Sequence, residues 1–247
     1  MAEDGMLQRT LKLLSSFTDD EPALTVVQLA ERTGIPHSTV HRLVKSLVAE
    51  GLMVAQPDQR YAVGTRMWEL GEMSPVALRL RESALPFMSR LYEETGENVH
   101  LAVLDGPHAL YVARIVGRYS IETISRAGGR GPLHATGVGK ALLATRDEPW
   151  LAQFFQTELL PETTQTITDE AALRNDLDRA RRDGYATTRG EMTLGNVSFA
   201  APVPRVDGLP PAAIGIVLHT RRADARRHGP LVAQTARDLG EALRDSH

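Results

Sequence analysis

The sequence predicts an α+β protein in two parts: a mainly helical first part that ends in a β-hairpin, and a longer part in which helices cover an antiparallel sheet. Three observations support this prediction. Apolar residues recur with a helical period up to about residue 50 and then alternate around a turn at 57–59. From residue 98 onward, strand-like and helical segments follow one another. The 247-residue chain is long enough to bury two cores.

The composition excludes several classes of protein. The chain contains no cysteine, which excludes disulfide frameworks, thiolate metal sites and cysteine nucleophiles. Its 28 basic and 31 acidic residues give a formal charge of −3, which argues against a protein that coats nucleic acid over its whole surface. No apolar run approaches the ~20 residues of a membrane span, and the acidic start is unlike a signal peptide. We therefore expect a cytoplasmic protein with no membrane partner.

The first part is predicted to contain three helices and a hairpin. The spacing of apolar residues predicts a first helix over 6–17. Thr25 and Gln28 fit a capping box for a second helix, which ends at Thr33 and Gly34. After a short turn comes a third helix, whose predicted buried stripe consists of Val40, Leu43, Val44 and Leu47.

The other face of the third helix is polar and cationic. Two helices joined by a short glycine turn and followed by a hairpin are typical of a winged helix-turn-helix, in which the second helix lies in the DNA major groove. Arginine and lysine can contact guanine edges or phosphates there, and histidine, serine and threonine can contact other base edges or a thymine methyl. The predicted DNA contacts are Ser38, Thr39, His41, Arg42 and Lys45 on the helix, and Gln59 and Arg60 on the wing.

The charge of the first part leaves an alternative open. Residues 1–65 contain six basic and eight acidic residues, so they are not a basic domain overall. A degenerate winged domain in a ligand-binding or assembly protein is therefore the alternative. The position of the basic residues argues against this alternative. Most of them lie in the predicted helix-turn-helix and its wing: Arg32, Arg42, Lys45 and Arg60. We expect a local positive field, few phosphate contacts per subunit and a need for dimerisation.

A connecting segment leads into the second part. Residues 66–84 are predicted to form a linker helix, on which Trp68 is either a core residue, the assignment we favour, or a dimer contact. Two strands over 99–115 then meet at a tight turn, and 119–125 is a plausible third strand. The remaining predicted elements are helices at 138–145, 150–155, 169–183 with Thr168 as N-cap, and 230–244, and strands at 197–203 and 212–218.

Enzyme chemistry finds little support in the sequence. The segment 137–140 is similar to part of a phosphate-binding loop, but that motif requires glycine at 134 and serine or threonine at 141, where the chain has His134 and Ala141. No metalloprotease or G-x-S-x-G spacing occurs. A metal-dependent enzyme that uses scattered histidines stays a third hypothesis, with His100, His108, His134 and His219 as its candidates. We expect no catalytic residue, no cofactor and no metal.

Four motifs stand in order along the chain: STVHRL at 38–43, RYAVG at 60–64, PLHATGVGKA at 132–141 and AAPV at 200–203. Together they resemble the IclR family of bacterial transcriptional regulators, and the resemblance covers residues 6–244. It implies a winged helix-turn-helix domain at 1–65, a linker helix at 66–84 and a GAF-like effector-binding domain at 85–247. It also implies a homodimer, or a dimer of dimers, on promoter DNA. Twofold symmetry then predicts a pseudo-palindromic operator.

The resemblance further implies an effector pocket in the second domain, lined by Gly137, Val138, Thr188, Asn196, Ser198, Gly215 and Val217. Glycines at a helix start offer free N–H groups and the positive end of the helix dipole to a carboxylate, or they only let the helix approach the sheet closely. Gly215 and Val217 stand where some relatives that bind small oxo-acids have serines. This favours a larger or more apolar organic acid, such as an aromatic or branched one. Glu191 is a possible pocket acid, although we favour a surface carboxylate.

Overall fold

The computed structural model describes residues 5–18, 20–119 and 126–245, apart from the side chains of residues 77 and 78. The chain divides between Ser74 and Pro75 into two compact units, called here the first and the second unit. Helices in both units and an antiparallel sheet in the second confirm the predicted α+β class. Within the described residues, no helix is both long and apolar enough to cross a membrane.

The described residues of the first unit form four helices and a small sheet. Its elements are α1 (Met6–Leu14), β1 (Ala23–Thr25), α2 (Val26–Thr33), α3 (His37–Ala49), β2 (Met53–Ala55), β3 (Arg60–Val63) and α4 (Thr65–Glu72). The strands are antiparallel in the order β1-β3-β2. The sequence predicted only the β2–β3 hairpin, because the partner of β1 is β3, which lies far from β1 in the sequence.

The capping box and the buried stripe predicted in the first unit are confirmed, whereas the predicted end of the first helix needs correction. The capping box of α2 is present, with Thr25 Oγ1 accepting from the Gln28 N–H at 3.2 Å and Gln28 Oε1 accepting from the Thr25 N–H at 2.9 Å. The predicted stripe of α3 is buried in the core of this unit. However, α1 ends at Leu14 rather than at 17. The turn that follows is tighter than an α-helical turn, because the Ser16 N–H donates to the Leu13 carbonyl, three residues back.

The stretch predicted as a linker helix contains several elements. After α4, a π-helical segment spans Val76–Arg81 and continues into α5 (Glu82–Thr95). Helix α4 buries no residue, and Trp68 on it is 68% exposed. Trp68 is therefore not part of the core of the first unit, and the core assignment favoured from the sequence is wrong.

In the part of the second unit that the structure describes, helices cover a six-stranded sheet. Its elements after α5 are β4 (Asn98–Asp105), β5 (His108–Ile115), β6 (Arg130–Pro132), α6 (Gly137–Ala144), α7 (Glu148–Phe154), α8 (Glu170–Asp183), β7 (Ala186–Arg189), β8 (Asn196–Pro202), β9 (Ala212–His219) and α9 (Ala225–Asp245). The pairs of neighbouring strands are antiparallel, in the order β6-β5-β4-β9-β8-β7.

Two details of this unit differ from the sequence prediction, and one predicted strand is not tested. Strands β6 and β7 were not predicted, since their few residues show no apolar alternation. The N-cap of α8 is Asp169 and not Thr168, because the Asp169 carboxylate accepts from the Ala172 N–H at 2.8 Å. The predicted strand at 119–125 lies outside the described residues, apart from Tyr119.

The two faces of the sheet pack against different helices. Odd-numbered residues of β8, such as Val197 and Phe199, belong to a core shared with α5 and α9. Ala200 belongs to a second core, which is shared with α6, α7 and α8. Because side chains alternate along a strand, Asn196 and Ser198 lie on the same face of the sheet as Ala200. The α6 face of the sheet therefore carries these polar residues.

Candidate functional site

Helix α3 presents a polar face to solvent. Gly34 ends α2 in the left-handed conformation, with φ of +67°, and its N–H donates to the Ala30 carbonyl at 2.9 Å. Ile35 is buried and Pro36 precedes the first residue of α3, which fixes the turn between the helices. Of the five predicted contacts on α3, Thr39 is half-buried and four are exposed: Ser38, His41, Arg42 and Lys45.

The free positive charge of this surface is smaller than the sequence indicated. Arg32 pairs with Glu21 and donates to the Ser16 carbonyl at 2.9 Å, so its charge is offset. In contrast, neither Arg42 nor Lys45 forms a side-chain ion pair with any described carboxylate. On the helices of this surface, the positive charge therefore comes from Arg42 and Lys45.

The wing residues lie at the turn between β2 and β3. Gln59 has a φ of +57°, a conformation that places it at the tip of the turn. Arg60 is exposed, but one guanidinium nitrogen donates to the Ala23 carbonyl at 3.2 Å, which ties the wing to β1. No acidic partner of Arg60 is found among the described residues, so its charge remains available at the surface.

A pocket in the second unit lies between the first turn of α6 and the sheet. Its space measures about 720 Å³, a figure that includes the open mouth and the solvent there. Strand pairing explains part of its wall, because Thr188 is opposite Ser198 and Ser198 is opposite Val217. All seven residues expected from the resemblance line this space: Gly137, Val138, Thr188, Asn196, Ser198, Gly215 and Val217.

The first turn of α6 touches the sheet without intervening side chains. A Cβ on Gly137 would lie 2.3 Å from Ser198 Oγ, so a larger residue there would force Ser198 to move. Thr136 caps the helix by accepting from the Gly139 N–H at 3.1 Å and by donating to the Pro132 carbonyl at 2.8 Å. The close-approach role that the sequence left open is therefore present. The N–H groups of Gly137 and Val138 still have no acceptor within the helix.

Two aromatic side chains, His100 and Tyr111, also line the pocket. The centroids of their rings are 5.4 Å apart, in an edge-to-face arrangement. Burial, followed by the nearby positive charge of Arg114, lowers the pKa of His100 to about 3. Burial also raises the pKa of Tyr111 to about 12, although a hydrogen bond with Thr136 acts in the opposite direction. Both rings are therefore uncharged at neutral pH, and His100 does not supply positive charge to an anion.

A buried ion cluster lies behind the pocket. Lys140 on α6 is fully buried, and its Nζ donates to Asp176 Oδ2 at 2.6 Å and to Glu191 Oε1 at 2.7 Å. Glu191 lines the pocket and is only 5% exposed, so the surface position favoured from its sequence context is wrong. Sequence reasoning also considered Lys140 only as a phosphate ligand. A lysine within the apolar run of 138–144 was the signal that could have indicated a buried ion pair.

The histidines considered for a metal site do not converge. His100 lies in the pocket, whereas a ring nitrogen of His134 lies 2.9 Å from the Leu160 carbonyl and His219 caps a short turn after β9. In the part of the chain that the structure describes, no three histidine, aspartate or glutamate side chains are arranged to hold a metal ion.

Both units match models of known protein domains. Residues 6–57 match the IclR helix-turn-helix domain, and residues 75–244 match the C-terminal domain of the bacterial transcriptional regulator IclR. The chain belongs to the IclR family. Members of this family are transcriptional regulators and not enzymes.

Curated relatives and solved structures agree with this assignment. The IclR-family chain is 34% identical over 247 residues to the transcriptional regulator BhcR of Paracoccus denitrificans, covering 94% of this chain and 85% of BhcR. It is 29% identical to XynR of Escherichia coli, covering 88% and 87% of the two chains. An IclR homologue from Microbacterium hydrocarbonoxydans, solved in complex with 4-hydroxybenzoate, superposes with a TM-score of 0.91 at 31% identity over 98% of this chain and 100% of that one.

As an IclR-family regulator, the chain combines a helix-turn-helix DNA-binding domain with an effector-binding domain. The α3 surface belongs to the first of these and the α6 pocket to the second. Several residues of the pocket wall were not expected from the sequence: His100, Tyr111, Arg130, Thr136 and Met192. They come from distant segments, and only the pairing of the strands and the packing of α6 on the sheet bring them together.

Proposed function

We propose that this regulator binds a pseudo-palindromic promoter site as a homodimer, or as a dimer of dimers, and that an organic acid in the α6 pocket changes its affinity for that site. The observation that carries this proposal is the pairing of an exposed, cationic α3 face with a partly apolar pocket in one chain. The proposed domain limits are 1–65 for DNA binding, 66–84 for the linker and 85–247 for effector binding. Because its partner is promoter DNA, we place it in the cytoplasm.

The DNA-contacting residues are proposed to be those that the sequence predicted. Their exposure supports this assignment, as does the absence of carboxylate partners for Arg42 and Lys45 among the described residues. The guanidinium of Arg42 can form a bidentate contact to guanine, while Lys45 suits a phosphate. The full proposed set is Ser38, Thr39, His41, Arg42, Lys45, Gln59 and Arg60.

Dimerisation is proposed because one copy offers few phosphate contacts and exposes large apolar side chains. On α4, Trp68 is 68% and Met73, the residue that ends the helix, is 64% exposed. On α1, Leu7 is 72% and Leu11 is 54% exposed. Exposed apolar side chains of this size can be buried by contact with another protein. A second copy of the chain is the partner that a twofold operator requires.

The effector is proposed to be an aromatic carboxylic acid. The N–H groups of Gly137 and Val138 at the start of α6 are suited to a carboxylate, and the glycine and valine at 215 and 217 leave an apolar wall for a ring. The Microbacterium homologue, which has a similar fold throughout, binds 4-hydroxybenzoate. The proposed contacts of the effector are the seven pocket residues that the family resemblance implies.

Replacing Ser198 tests this assignment. Ser198→Leu is expected to abolish the response of operator binding to added 4-hydroxybenzoate or benzoate, because a leucine beside Gly137 fills the space at the start of α6. Basal DNA affinity should stay unchanged, since Ser198 lies in the second unit. The measurement is the dissociation constant of a labelled operator with and without acid.

Ser198→Ala is the control, since it removes only the hydroxyl paired with Thr188 and adds no volume. It should still respond. If a folded Ser198→Leu protein responds like the wild type, the effector binds outside this pocket.

A further inference from the structure

Glu191 occupies a fixed position on the pocket wall. It follows β7 in a loop that is tied down by its neighbours, because Thr163 Oγ1 donates to the Gly190 carbonyl and Thr166 Oγ1 to the Glu191 carbonyl, both at 2.6 Å. The side chain is held by Lys140 Nζ at Oε1. Its carboxylate therefore has little freedom to turn towards solvent.

The second oxygen of this carboxylate lacks a donor. No described residue reaches Glu191 Oε2 with hydrogen-bond geometry, although the oxygen is buried. Other polar groups of the wall are paired, such as Ser198 with Thr188 and Thr136 with Pro132. A buried acceptor without a donor is costly to leave unpaired, because it has lost its contact with water.

The charges around Glu191 indicate which donor fits. Lys140 is shared by two carboxylates, so the cluster has no spare positive charge facing the pocket. Burial raises the pKa of Glu191, and the nearby charge of Asp176 acts in the same direction, whereas the charge and the hydrogen bond of Lys140 lower it. A second carboxylate placed beside Glu191 would be repelled. A neutral hydroxyl can donate to Oε2 without that repulsion.

We propose that Glu191 selects the effector by accepting a hydrogen bond from an effector hydroxyl at Oε2, so that the pocket prefers hydroxylated acids. The inference rests on the proposed function, in which the acid group of the same molecule binds at the start of α6. A site built to pair with a hydroxyl rejects the analogue that lacks it, because the buried acceptor is then left alone. Glu191 is thereby a specificity-determining residue of the effector site.

Calorimetric titration of the full chain with three acids tests this role. Benzoate has no group at position 4, 4-hydroxybenzoate carries the donor, and 4-fluorobenzoate has a substituent of similar size that cannot donate. The wild type is expected to bind 4-hydroxybenzoate at least about tenfold more tightly than either of the other two. This comparison needs no variant, so it does not depend on a substitution that could disturb folding.

Glu191→Gln is expected to reduce this preference to about threefold or less, since a neutral amide oxygen is a weaker acceptor than a carboxylate. The matched control is Glu241→Gln on α9, where an exposed carboxylate is removed in the same way. That variant should keep the full preference of the wild type.

The possible failures are distinguishable. If the wild type binds the three acids equally, or if Glu191→Gln keeps the preference, the hydroxyl contact is refuted while the acid site stands. If the wild type binds none of them, the proposed effector class fails and the role of Glu191 fails with it.

Discussion

Lys140→Met lowers the free energy of unfolding of the second unit by about 3–5 kcal/mol, the cost expected when one partner of a buried ion pair is removed. Lys140 is fully buried between Asp176 and Glu191, whose side chains are only 15% and 6% exposed. Without the ammonium group, two carboxylates face each other in a poorly solvated space. Methionine retains most of the volume of the lysine side chain. The loss of stability therefore measures mainly the effect of removing the positive charge.

The measurement is urea unfolding of wild type and variant under identical conditions. Arg179→Met is the control, because Arg179 pairs with the same Asp176 at 2.7 Å but is 63% exposed. Exposed pairs contribute little, so this variant should lose less than about 1 kcal/mol. A Lys140→Met protein as stable as the control would show that the cluster is not the buried, mutually dependent unit described above.

Arg42→Ala weakens binding to the operator by about 1–3 kcal/mol, or about 5-fold to 150-fold, if the side chain reads a base. Arg42 is exposed on α3, and no described carboxylate pairs with it. Its guanidinium can therefore reach a guanine edge without first breaking an ion pair. Affinity for the effector should be unchanged, because Arg42 and the pocket belong to different units.

Two further variants separate base reading from general attraction. Arg42→Lys keeps the charge but loses the bidentate geometry, so it should bind the operator nearly as weakly as Arg42→Ala while retaining affinity for unrelated DNA. Arg237→Ala removes the same charge from an exposed position on α9 and should bind like the wild type. Wild-type operator affinity in Arg42→Ala would refute the assignment of this residue.

The first unit was largely predictable from the sequence because its structure is local. Helical period alone identified the buried stripe of α3, and the Thr25–Gln28 capping box lies within four residues. Prediction failed where pairing or packing decides the structure. Strand β1 exists only through its pairing with β3, and Trp68 has the composition of a core residue but lies on a helix that buries nothing.

The pocket was predictable only through the family resemblance. Its residues lie between 100 and 217 in the chain and meet through sheet register, which no periodicity reveals. The resemblance supplied positions such as Ser198, yet it did not supply the environment of Glu191. The burial of Glu191 depends on Lys140, which is 51 residues away in the sequence and was itself hidden in an apolar helix.

Sequence-specific binding to DNA is the central claim, and fluorescence anisotropy tests it most directly. The purified chain is titrated against the intergenic DNA beside its own gene and against a scrambled fragment of equal length, each at two salt concentrations. We predict tighter binding to the native fragment that persists at near-physiological salt, because base contacts survive when counterion release no longer favours binding. Equal affinity for both fragments that disappears with salt would contradict the account.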